Sequence, residues 1–230
     1  MHRLILFDID GTLLSTNGQA GKAIGIAMRE TFGTAGPIET FAFSGKTDPQ
    51  IVFELLGVAG IPRAEVEPRL PEVFDRYCVH LASMLSPSNT RALAGVREVL
   101  DALAGRDGVA VGLLTGNIQP GAEIKLRAVG LEGRFGVGAF GSDEEDRNRL
   151  VPVARRRARE RWGHPFEGMD TVVVGDAEAD VLCARAGGAR AVAVASGRTS
   201  RGVLEARAPD ALLESLASPL ALPALLGHHG

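Results

Sequence analysis

Three short apolar runs constrain this chain more than anything else in it: Arg3–Phe7 (RLILF), Val109–Leu114 (VAVGLL) and Thr171–Val174 (TVVV). Each runs straight into a polar, glycine-containing turn: Asp8-Ile9-Asp10-Gly11-Thr12, Thr115-Gly116-Asn117 and Gly175-Asp176. Apolar runs this short, closed by turn signals, read as strands buried on both faces. From residue 96 onward, apolar residues recur at helical spacing over 96–104, 121–129, 150–162 and 180–186, with further strands at 137–140 and 191–195. Strand and helix in alternation predict an α/β fold, a parallel sheet covered by helices on both faces.

The alternation is interrupted once. Residues 21–32, 49–57 and 65–85 carry helical periodicity only, separated by turn signals at Gly36-Pro37, Gly60-Ile61-Pro62 and Ser86-Pro87. The spacing therefore predicts a core formed by 1–14 and 90–230, with an all-helical insertion over 15–89. Residues 227–230 are expected to fray.

In open parallel sheets, ligands sit beyond the carboxyl ends of the strands. At those ends this sequence offers Asp8, Asp10, Asp176 and, four residues on, Asp180, together with the hydroxyl of Thr115. Several carboxylates on one rim repel, and a divalent cation relieves the repulsion. An oxygen-only donor set without His or Cys selects a hard ion, Mg²⁺ above all.

The composition fits a soluble globular protein with a well-filled core and excludes other classes. The chain is 45% hydrophobic and 23% charged, with a net charge of −3, and no segment has the basic excess that non-specific nucleic-acid binding requires. No apolar run approaches the length of a membrane span. Two cysteines in no metal-binding spacing predict a reducing compartment, the cytoplasm. Oligomeric state is not legible.

The sequence resembles the haloacid dehalogenase superfamily of phosphohydrolases. Asp8-Ile9-Asp10-Gly11-Thr12 is similar to its first motif, Leu113-Leu114-Thr115-Gly116-Asn117 to its second, and Val174-Gly175-Asp176 through Asp180 to its fourth. The resemblance implies a three-layer Rossmann-like core, with residues 15–89 as a helical cap of the C1 type, as in phosphoglycolate phosphatases. It implies Asp8 as nucleophile, Asp10 as acid and base, and Thr115 with Gly116, Asn117, Gly11 and Thr12 around the phosphate. Asp8, the Asp10 carbonyl and Asp176 would hold Mg²⁺, with Asp180 behind them. Dehalogenases of this superfamily lack an acid at the place of Asp10, so its presence favours phosphoryl transfer. The substrate implied is a small phosphorylated metabolite. Its rivals are a phosphosugar mutase using the same residues and a silent member that only binds a phosphorylated ligand.

One motif departs from the family pattern. The third, a lysine, is missing from 135–170, and the chain has only Lys22, Lys46 and Lys125. Four acidic groups and a phosphate dianion need a fixed cation near Asp8. Lys125, the one lysine in the core, is expected there, in reach of Asp8 or Asp180, with Arg147 and Arg149 as competitors. Ser44-Gly45-Lys46-Thr47 contains the GKT of a P-loop, but Thr40 stands where that pattern needs glycine. It resembles instead a cap loop facing the active site, with Lys46 available to a distal anionic group of the substrate. The arginines at 155–161 are expected on a solvated helix face.

Overall fold

The structure, a computed structural model, describes residues 2–227; the expected fraying of 228–230 lies outside the described residues. Among these, the strands are β1 (Arg3–Phe7), β2 (Leu14–Ser15), β3 (Arg91–Ala92), β4 (Val109–Leu114), β5 (Val137–Ala139), β6 (Thr171–Gly175), β7 (Arg190–Val194) and β8 (Ala211–Leu213). Six of them form one parallel sheet in the order β5-β4-β1-β6-β7-β8. The three runs that end in the polar turns are thus the three central strands.

The sheet is covered on both faces. Along β1, Ile5 and Phe7 face one apolar cluster and Leu4 and Leu6 the other, as the two-residue period of a strand requires. The first cluster is closed by helices α5 (Val96–Leu103), α6 (Gln119–Ala128) and α10 (Ala221–Leu226). The second is closed by α7 (Leu150–Trp162), α8 (Glu178–Ala186) and α9 (Arg201–Ala206). Leu4, Leu6, Phe7 and Val174 are fully buried, and each such side chain contributes roughly 1.5–3 kcal/mol of transfer free energy.

Between β2 and β3 the chain is helical: α1 (Gln19–Phe32), α2 (Asp48–Val58), α3 (Arg63–Val66) and α4 (Leu70–Met84). These helices bury their own cluster around Ala27, Met28, Leu55, Tyr77 and Leu81. Ile118 and Ile124 from α6 and its approach join that cluster, so the insert rests on the core through α4 and α6. Gly121 makes room there: a Cβ at 121 would lie 3.1 Å from the Tyr77 ring. The two crossings between insert and core pair with each other as an antiparallel ribbon, Leu14 opposite Ala92 and Ser15 opposite Arg91.

Several features differ from the sequence-based expectation, among them helices α9 and α10, where it named no element. Strand β8 and the β2–β3 ribbon carry no readable period, because two or three residues are too few to show one. The arginine run is only partly solvated. Arg155 donates to Thr171 Oγ1 (2.8 Å) and to the Gly187 and Gly168 carbonyls, and Arg157 forks onto Asp143 at 2.6 and 2.8 Å. These two arginines tie α7 to neighbouring loops, whereas Arg156, Arg159 and Arg161 are exposed.

Candidate active site

Beyond Phe7 the backbone stays in sheet register for one more bond, Asp8 N–H to the Val174 carbonyl at 2.9 Å, and then turns. The Ile9 carbonyl accepts from both Leu13 and Leu14, and Gly11 N–H donates to the Leu14 carbonyl. Gly11 sits at φ 87°, a conformation that glycine adopts without strain. A Cβ there would also lie 2.4 Å from Asp176 Oδ2. This knot holds Asp8 and Asp10 at the mouth of the sheet.

Asp8, Asp176 and Asp180 converge, with one carboxylate oxygen of each within 4.8 Å of the others, and all three are buried. Arg147 is the cation among them. Its Nη2 donates to Asp8 Oδ1 at 2.8 Å and also to Asp180 Oδ1. Asp146 starts the short turn carrying Arg147 by accepting from Asn148 N–H at 3.0 Å, and the Cys183 thiol donates to the Arg147 carbonyl. Burial works against the guanidinium charge, but Asp180 and Asp8 outweigh it and push the Arg147 pKa up. Asp180 folds back at the start of α8 to accept from Ala177 N–H at 2.9 Å. Gly175 permits that fold, since a Cβ at 175 would lie 2.0 Å from Asp180 Cγ.

Lys125 is elsewhere than expected. It is buried (side chain 3% exposed), and Nζ donates to Asp10 Oδ2 at 2.6 Å and to Asn117 Oδ1, not to Asp8 or Asp180. The Asp10 side chain is 41% exposed and lines the cavity above the sheet end. Asn117 donates from Nδ2 to both Asp10 Oδ2 (2.8 Å) and Thr115 Oγ1 (2.7 Å). The site therefore holds two cations with separate partners, Arg147 on Asp8 and Lys125 on Asp10. Arg149 pairs with Glu144 on the surface.

Among the described residues no such cation pairs with Asp176; its side chain accepts from Thr12 Oγ1 at 3.2 Å. Burial, then the charges of Asp8 and Asp180, push its pKa up to about 8, and burial pushes Asp8 up to about 6 against the pull of Arg147. A carboxylate this close to two others, short of positive charge and offering only oxygen, fits a divalent cation held by Asp8 and Asp176. Gly197, not singled out in the sequence, helps form this place: a Cβ there would lie 1.7 Å from Asp176 Oδ2, and Ser196 Oγ donates to the Gly11 carbonyl at 2.8 Å. Its signal was available, because it follows the carboxyl end of β7.

A linkage prediction follows. Both acids titrate above their unfolded values of about 4, so the folded, metal-free protein binds more protons than the unfolded chain between about pH 4 and pH 8. Their contribution to stability is present below that window and lost as pH rises through it. In chelator, Tm should fall from pH 5 to pH 8, and a divalent cation should raise Tm much more at pH 8 than at pH 5, because it binds the deprotonated pair. An equal Tm increment at both pH values would remove the cation from this place.

A cavity of about 750 Å³ opens above these groups, between the sheet end and the insert. Asp8, Asp10, Thr115, Lys125, Arg147 and Asp176 line its floor, and Phe43 and Lys46 line it from the insert. Lys46 Nζ pairs with Glu54 at 2.8 Å within the insert. The Gly45-Lys46-Thr47 segment follows no strand, so it is not a P-loop; Thr47 instead caps α2, accepting from Gln50 N–H. Gly116 offers no side chain, and its carbonyl accepts from Asp48 N–H at 2.7 Å.

Residues 2–188 match the model of the haloacid dehalogenase-like hydrolase family. A phosphoglycolate phosphatase of Nitrosospira multiformis is 28% identical over 218 residues, 93% of this chain and 92% of that protein. One from Xylella fastidiosa is 32% identical over 188 residues, covering 81% and 77%. Among solved structures, a hydrolase from Pseudomonas syringae superposes with a TM-score of 0.72 at 22% identity, covering 99% of this chain and 97% of that one. A haloacid dehalogenase-like hydrolase from Bacteroides fragilis gives 0.71 at 20%, covering 94% and 99%. These likenesses carry the fold, and with the family match they establish that the chain belongs to the haloacid dehalogenase-like hydrolases.

Proposed function

We propose that this phosphatase is a Mg²⁺-dependent phosphomonoester hydrolase that works on a small phosphorylated metabolite through an aspartyl-phosphate on Asp8. The observation that carries the reading is the meeting of Asp8, Asp10 and Asp176 on one cavity floor with two separately partnered cations, Arg147 and Lys125.

Asp8 attacks the phosphorus with a carboxylate oxygen, and the bond from phosphorus to the ester oxygen breaks. Arg147 holds Asp8 in line and offsets the charge of two anions brought together. The leaving oxygen takes a proton from Asp10. Asp10 then takes a proton from water, which attacks phosphorus, releases phosphate and restores Asp8. Both bonds from Lys125 and Asn117 fall on Asp10 Oδ2, which supports Oδ1 as the carrier of the moving proton. Thr115, fully buried and bonded through its hydroxyl to Asn117, borders the phosphate with Gly116. Asp8, the Asp10 carbonyl and Asp176 would hold Mg²⁺, which would supply further charge neutralisation at the phosphate. Lys46 faces the substrate's distal end from the insert. Residues 15–89 act as the cap that covers the bound substrate, and 1–14 with 90–230 as the catalytic core.

The test is phosphate release from a panel of phosphorylated metabolites and an aryl phosphate. Turnover should require Mg²⁺, stop in excess chelator and be opposed by Ca²⁺, whose looser coordination misplaces the in-line geometry. The product should be free phosphate with the dephosphorylated alcohol. A phosphorylated isomer as the main product would make the protein a mutase, and full activity in chelator would remove the metal from the reaction.

A further inference from the structure

The insert is hydrogen-bonded to the second motif through Asp48. Asp48, in the first turn of α2, is 7% exposed. Its backbone N–H donates to the Gly116 carbonyl at 2.7 Å, and its Oδ2 accepts from Ile118 N–H at 2.8 Å. It therefore grips the residue on each side of Asn117 and leaves the Asn117 side chain to Asp10, Thr115 and Lys125. The fit around this grip has no slack. A Cβ at Gly116 would lie 2.1 Å from the Lys46 carbonyl oxygen, and one at Gly141 would lie 2.1 Å from the Gly116 carbonyl oxygen and 3.0 Å from Thr47 Cβ. Next to Asp48, Thr47 Oγ1 donates to the Glu145 carbonyl at 2.8 Å, two residues before Arg147.

A buried carboxylate is a costly way to dock a helix, and a neutral residue would suffice for capping, since Thr47 already caps α2. Burial pushes the Asp48 pKa up to about 6 even with Lys125 and the Ile118 N–H opposing it. What a carboxylate adds is a strong, directed bond to a backbone amide, and here that amide adjoins the residue that orients Asp10.

We infer that Asp48 is a positioning residue: by clamping Gly116 and Ile118 it sets Asn117, and through Asn117 it sets Asp10 for proton transfer, so that docking of the insert and alignment of the acid are one event. The inference rests on the phosphatase reading above. Asp48 itself touches no reacting atom. Its effect passes through the step in which the Asp8–phosphorus bond forms, the phosphorus–oxygen ester bond breaks and the leaving oxygen accepts the Asp10 proton. A basic leaving oxygen needs that proton; a nitrophenolate leaves without it. A residue that merely held the fold together would slow every substrate alike.

The experiment measures the single-turnover burst of released alcohol or phenol from a series of phosphate monoesters, running from dinitrophenyl to alkyl phosphates. Asp48→Ala should slow alkyl phosphates on the order of 10²-fold, the lower end for loss of general acid catalysis, and dinitrophenyl phosphate by less than about threefold, so the dependence on leaving-group basicity steepens. Asp48→Asn, whose amide oxygen can still accept from Ile118 N–H, should recover most of the alkyl rate. On alkyl phosphates Asn117→Ala should cost a similar factor, and the double variant should be no slower than the slower single, as for two residues in one chain of contacts. Should Asp48→Ala fail to fold, Asp48→Glu, which keeps the charge but displaces it by a methylene, should show the same steepening. Uniform slowing across the series, or full additivity with Asn117→Ala, would overturn the inference and leave the phosphatase intact. A wild-type protein that bursts with no monoester would instead overturn the phosphatase reading itself.

Discussion

Asp8→Asn should lower turnover by about 10⁴-fold or more, the scale seen when a covalent nucleophile is removed, while the protein stays folded. The amide oxygen cannot attack phosphorus as a carboxylate does. The substitution is nearly isosteric, and the Asn oxygen can still accept from Arg147, now 2.8 Å from Asp8 Oδ1. It also removes one charge from a buried cluster in which burial, then the charges of Asp8 and Asp180, raise the Asp176 pKa. The metal-free variant should therefore melt no lower than the wild type at pH 8, which separates loss of chemistry from loss of fold. Acid-stable or rapidly quenched radiolabelled protein should show no phosphoryl-enzyme. Phosphate release near the wild-type rate would rule out the covalent route.

The second large effect belongs to Arg147. Removing it as Arg147→Ala leaves Asp8 and Asp180 buried and without their cation, which costs about 3–5 kcal/mol when a buried ion pair loses one partner. The same change should slow aspartyl-phosphate formation by about 10²–10³-fold, the scale for one preorganised charge-stabilising group. Arg147→Lys should recover part of the rate, because a single ammonium replaces a planar group that now bonds Asp8 and Asp180 together. Chemical denaturation and quenched-flow labelling check the two halves separately. Near-wild-type stability and labelling in Arg147→Ala would return the role to Lys125.

Much of this site was legible because strand ends are local. The turn after each central strand is contiguous in sequence, so Asp8, Asp10, Thr115 and Asp176 could be read from their neighbours alone. Reach was not legible. Lys125 and Arg147 both lie in the core after the second motif, but which carboxylate each meets depends on how Lys125 reaches Asp10 and Asn117 together and on how the turn at 146–149 brings Arg147 to Asp8 at the strand ends. The sequence offers Lys125 first for that place, with Arg147 and Arg149 as competitors; the three-dimensional path of the loop gives Asp8 to Arg147. Asp48 was hidden for a different reason. In sequence it is an ordinary acid at a helix start, and only the tertiary contact with residues 116–118 gives it a partner.

The ribbon joining β2 to β3 has an architectural consequence. Opposed residues in an antiparallel pair stand about 4.5–5.5 Å apart, and Ser15 stands opposite Arg91. The chain thus leaves the sheet and returns to it at almost the same point, like the stem of a hairpin whose loop has grown to hold four helices. The strand order of the sheet needs nothing from residues 16–90. A recombination event that exchanged everything beyond the stem would leave the sheet wound as it is, so the shape of what covers the strand ends can change hands over generations wherever the incoming insert again grips residues 116–118 as Asp48 does.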